Sequence, residues 1–205
     1  NFESGGSITN PFGLGVTIEA RSLIIHPFGA LHADGEGFGG STGPGRAIPT
    51  GNGGSHGGFG GWYMGAAEPL PPYGNMTAPT TLGSGGNGSS PGGGAIKLDI
   101  TEELVINGRL SAEGRVSGAN NGGGAGGSIW IRAPVLQGSG VISASGAPGI
   151  SSAHGGGGGG RIDISETTNN FLGDIRVWGG HGALKSHIRG KTGTVALRRD
   201  AVAWW

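Results

Sequence analysis

Short runs of alternating apolar and polar residues punctuate the chain, and their phase is constant. Ile96, Leu98 and Ile100 alternate with Lys97 and Asp99; Ile129, Ile131 and Ala133 alternate with Trp130 and Arg132. The runs RIDIS and TVALR repeat the pattern through Ile162 and Ile164, then Val195 and Leu197. A period of two predicts strands with one buried face. Ile96, Ile129, Ile162 and Val195 are each 33 residues apart and form a candidate core ladder. A second set, RLSAEG (109–114), VISASG (141–146) and DIRVWGG (174–180), places Leu110, Ile142 and Ile175 at steps of 32 and 33. A weaker copy of both sets lies upstream, in GVTIEA (15–20) and ALHADG (30–35). A fixed period of this length is the signature of a repeat architecture.

Each repeat carries too few apolar side chains to bury them alone, so the repeats must stack. No ten-residue stretch shows helical spacing free of glycine, and the strands are rich in Ile and Val. The expected fold is therefore all-β: a parallel β-helix (β-solenoid) with rungs of about 33 residues, Gly-rich loops and one long loop insertion. A β-sandwich is the alternative. The chain reads as a single domain over 1–205, with 36–91 a Gly/Pro-rich insertion in the first rung. Outward positions should form ladders at roughly 4.8 Å spacing. One runs Asp99, Arg132, Ser165, Arg198; the other runs Lys97, Trp130, Asp163, Ala196.

Composition changes this picture in one respect. Glycine supplies 51 of 205 residues and proline 11, a level that without a period would indicate low complexity. With the period, the tracts 122–127 and 155–160 read as rung-to-rung connectors. Glycine lets backbones approach closely, and adjacent tracts are expected to stack as extended, polyproline-II-like segments. They recur from rung to rung and lack GxxxxGK[ST], which argues against a phosphate loop. Charge is balanced at 13 basic and 13 acidic residues, which disfavours nucleic acid as a partner. There is no cysteine, hence no disulfide or thiolate metal site. No apolar run reaches the length of a membrane span, so no membrane insertion is expected.

The insertion carries aromatic residues spaced along a glycine-rich loop. Phe59, Trp62, Tyr63 and Tyr73 are candidate subunit or glycan contacts. It also holds two N-x-[ST] sequons, which make Asn75 and Asn87 candidate N-glycosylation sites. The six histidines show neither HxxxH nor HExxH spacing, and no Asp/Glu cluster supplies a calcium ligand set. The outward acids Asp99, Glu113, Asp163 and Asp174 fall on different columns or are interrupted by basic residues, unlike a glycosidase pair. There is no GxSxG. Thr17 and Thr194 are too isolated for an ice-binding threonine ladder. No catalytic residue, metal ligand or cofactor is therefore expected, and the chain does not read as an enzyme.

The frame carried by Gly126, Gly127, Ser128 and Ile129, by 140–146 and by 155–164 resembles glycine-rich β-solenoid repeats of large secreted and cell-surface proteins. The resemblance covers about 94–200. It implies a parallel β-solenoid on a cell surface or in extracellular material, with no active site to carry over. The expected function is a structural subunit or segment of an extracellular filament or cell-surface layer. Assembly would run through exposed ends, with Trp204 and Trp205 as an apolar contact. The expected partners are further copies of the chain or other surface-protein segments, and covalent glycans. A carbohydrate-binding or adhesin module and a polysaccharide-degrading enzyme are the alternatives.

Overall fold

A computed structural model of the chain describes residues 15–48, 51–62, 67–150, 154–182 and 189–199. The alternating runs form long strands: β1 (Val16–Ile25), β3 (Ala95–Ile106), β5 (Ser128–Gly138), β7 (Arg161–Phe171) and β9 (Thr194–Arg199). Between them lie short strands β2 (Ala30–His32), β4 (Arg109–Ser111), β6 (Val141–Ser143) and β8 (Asp174–Arg176). The long strands make one sheet in the order β1-β3-β5-β7-β9, and the short ones a second in the order β2-β4-β6-β8. Every pair is parallel.

The register is set by the apolar columns. Ile96 lies beside Ile129, Ile129 beside Ile162, and Ile162 beside Val195. Leu98, Ile131, Ile164 and Leu197 form the next column. Leu31, Leu110, Ile142 and Ile175 align across the second sheet, and both sheets contribute to one core. A one-residue slip would turn every column to the opposite face, so each buried Ile or Leu also fixes pairing. Burial of one such side chain is worth roughly 1.5–3 kcal/mol. The expected outward ladders are present. Arg132 Nη1 lies 3.3 Å from Asp99 Oδ2, and Lys97 Nζ sits 4.7 Å from the centroid of Trp130.

The closed β-helix expected from the period is corrected by this topology. Strand pairing is confined to two sheets, and the remainder of each repeat is not strand. The β-sandwich alternative fails too, because among the described residues no strand pairs with its neighbour in sequence and no pair is antiparallel. No helix occurs among the described residues. The glycine tracts are what a closed strand ladder left out of account. In 122–127, the amides of Gly123 and Gly126 donate to Gly155 and Gly158, three residues apart on one neighbour. Gly124 and Gly127 donate to Arg115 and Ala112 on a second, and Ala125 donates to Ser84 on a third. The tract 155–160 repeats the scheme toward 51–54, 144–147 and Lys191. Donors that rotate through three directions with a period of three define a polyproline-II-like chain bonded laterally, whereas a strand bonds in one plane.

The segment 36–91 contains no strand among its described residues and joins this bundle. Its residues 51–56 and 82–86 are buried within this bundle, and Gly54 and Gly58 donate to Gly123 and Gly159. None of the glycines in 122–127 or 155–160 has a positive φ. What the bundle requires of them is space. A Cβ on Gly127, Gly160 or Gly193 would collide with the carbonyl of Gly94, Gly127 or Gly160, each 33 residues earlier. Gly157 and Gly190 are held in the same way against Gly124 and Gly157.

Gly127→Ala should therefore cost more than about 3 kcal/mol, the upper range for overpacking, because the obstructing atom is backbone. Gly39→Ala should stay within about 0.5 kcal/mol, since its added Cβ would meet only Thr42 Oγ1, at 3.8 Å. Chemical denaturation of the two variants checks both values.

Candidate functional site

Two features stand apart from the regular stack: an open sheet edge and a buried polar cluster. The edge is β9. Its Val195 is 40% exposed and its Leu197 57%, whereas their column neighbours Ile162 and Ile164 are fully buried. Among the described residues, β9 is the last strand of the five-stranded sheet and no short strand of the second sheet lies opposite it. At the opposite edge, Val16 and Ile18 of β1 are half-buried in the same two columns.

The polar cluster arises where the residues 73–81 cross the outer face of the five-stranded sheet. The Tyr73 carbonyl accepts from Arg161 Nε of β7 at 2.8 Å. The Thr77 carbonyl accepts from Arg198 Nη2 of β9 at 3.0 Å, and the Thr81 carbonyl from Ser128 Oγ of β5 at 2.6 Å. Beneath this strap, Asp163 is wholly buried and paired with Arg198, and Arg161 is only 6% exposed. His56, from the glycine-rich segment, closes the cluster. Its Nδ1 lies 2.8 Å from the Gly126 carbonyl and so carries the proton; its Nε2 lies 2.8 Å from Thr81 Oγ1 and accepts. Gly74 passes over the cluster with φ +85°, and a Cβ there would collide with Thr81 Oγ1.

Burial governs the ionisation of these groups. It lowers the His56 pKa to about 4, against the hydrogen bond to Gly126 and with the help of the nearby Arg161 guanidinium. Tyr73 is pushed up to about 12 by burial, opposed by its hydrogen bond with Ser84 and by Arg161. Burial also lowers Arg161. At neutral pH the cluster therefore holds a neutral imidazole, a neutral phenol and a charged guanidinium. The arrangement ties the strap to the sheet.

The residues singled out by sequence are scattered. Asn75 is exposed in a turn in which its Oδ1 accepts from the Thr77 amide at 2.9 Å. Asn87 is half-buried, and its amide donates to Asn52. Phe59 is 42% exposed and Trp62 half-buried. Tyr73 turns its hydroxyl inward to the Leu82 carbonyl at 2.5 Å and to Ser84 Oγ at 2.7 Å, and its ring lies 4.9 Å from that of His56. Tyr63, Trp204 and Trp205 lie outside the described residues. Sequence reasoning missed the cluster because His56, Tyr73, Thr81, Ser128 and Arg161 follow no motif spacing. Their one shared signal is that Arg161 and Ser128 occupy the same position of successive repeats.

No family model, curated protein or solved structure matches this chain.

Tyr73→Phe removes the phenol from the Leu82 carbonyl and Ser84 Oγ. It should cost about 1–2 kcal/mol, read as a lower denaturation midpoint at unchanged m.

Proposed function

We propose that the chain is a structural segment of an extracellular filament or cell-surface layer, extended by adding parallel strands to the open edge of its long-strand sheet. The observation that carries this reading is β9. Two apolar columns that are sealed in β5 and β7 continue onto it and stop exposed at Val195 and Leu197. Exposed apolar edge strands are templates for pairing with another chain. The strand that covers this one is a further repeat in the same register, supplied by a following segment of the same protein, a further copy of the chain or another surface-protein segment. The repetition supports the same reading, because a stack in which each unit presents the register of the last adds units without limit. The extracellular placement rests on the resemblance of the glycine-rich frame to repeats of secreted proteins. Asn75, exposed in its sequon, is the better-placed of the two candidate glycan acceptors.

Sedimentation velocity and electron microscopy over a range of concentrations test the proposal. The expected outcome is concentration-dependent association that Leu197→Lys reduces to monomer. A chain that stays monomeric at high concentration overturns self-assembly. Intact mass of the native material reads glycan occupancy, and Asn75→Gln should remove any glycan mass carried there.

A further inference from the structure

We infer that the strap over residues 73–81 is an acid-released cover, held on the outer face of the long-strand sheet by His56 and opened when that imidazole is protonated. The geometry places His56 at the centre of the attachment. Its Nδ1–H is committed to the Gly126 carbonyl, so a second proton has only Nε2 to occupy, and Nε2 is the acceptor of the Thr81 hydroxyl. Protonation turns that acceptor into a donor and leaves the Thr81 proton without its partner. The charge also appears inside a wholly buried residue. The groups that face it offer no compensation. Arg161 from β7 is cationic and raises the cost, Tyr73 from the strap is a neutral phenol, and Ser128 from β5 is a hydroxyl already donating to Thr81. Asp163, the buried carboxylate beneath the strap, is already held by Arg198.

The sign follows from linkage. The closed strap holds His56 with its pKa lowered to about 4, and the opened strap restores the ordinary value of 6.5. The closed form is therefore fully favoured above pH 6.5. It loses ground as the pH falls through the window between 6.5 and about 4. Across that window the open fraction rises about 80-fold, most steeply in its middle and less at either end. The core columns of the strands are aliphatic, so they stay paired while the strap lifts and uncovers Ser128, Arg161 and Asp163.

Hydrogen exchange of the whole chain between pH 7 and pH 4, corrected for intrinsic exchange, tests the inference. The reporter is the Tyr73 amide, which the closed strap holds on the His56 carbonyl at 3.0 Å. Its protection should fall about 100-fold between pH 7 and pH 4 while β5 and β7 keep theirs, and His56→Gln should flatten the dependence. The inference is overturned if the strap keeps its protection at pH 4, if strap and strands lose protection together, or if His56→Gln shows the wild-type dependence. Should that variant fail to fold, NMR titration of wild-type His56 decides. A midpoint displaced well below 6.5 supports the inference, and one at 6.5 with the strap protected overturns it.

Discussion

The rest of this structure depends on how closely one repeat's backbone can approach the next in the glycine bundle. The carbonyls of Gly94, Gly127 and Gly160 occupy the places where side chains of Gly127, Gly160 and Gly193 would begin. That proximity lets the amides of 123–127, of Gly155 and of 157–160 reach a carbonyl on one of three neighbours. A buried peptide group without a partner costs on the order of 1–3 kcal/mol, so the tracts are tolerable in the interior only because nearly every group finds one. Glycine also loses the most conformational freedom on folding. The lateral bonds, cooperative along the bundle, are what offset that cost.

The two sheets follow from this constraint as much as they support it. The 33-residue step that stacks Ile96, Ile129 and Ile162 is the step that brings Gly127 against Gly94 and Gly160 against Gly127. A residue inserted in a tract would shift the apolar columns of the following strand to the wrong face. The aliphatic core and the side-chain-free bundle therefore hold each other in register. The segment 36–91, which no strand pattern marks, is recruited into the same bundle. From there it sends residues 73–81 across the sheet, burying a polar row that would otherwise face solvent.

The candidate chemistry is a consequence of that crossing. His56 is neutral because it is enclosed, and Arg161 is a tie because the Tyr73 carbonyl comes to it. Neither residue has a distinguishing neighbour in sequence. The open edge at β9 has a different origin: its columns were readable, but among the described residues no strand pairs beyond it.

The alternation by itself determined the strands, their faces and their register, because Ile162 and Val195 have one way to share a column with Ile129. It also determined the pairing of Asp99 with Arg132 and of Lys97 with Trp130, which are simple consequences of the 33-residue step. Only the tertiary structure decided that the repeats form two parallel sheets beside a glycine bundle in place of a closed β-helix. The physical reason is that period-two patterning reports which side chains are buried, and the glycine tracts have no side chains to report. Their three-directional hydrogen bonding, the enclosure of His56 and the inward turn of Tyr73 are fixed by neighbours tens of residues away, where local sequence carries no signal.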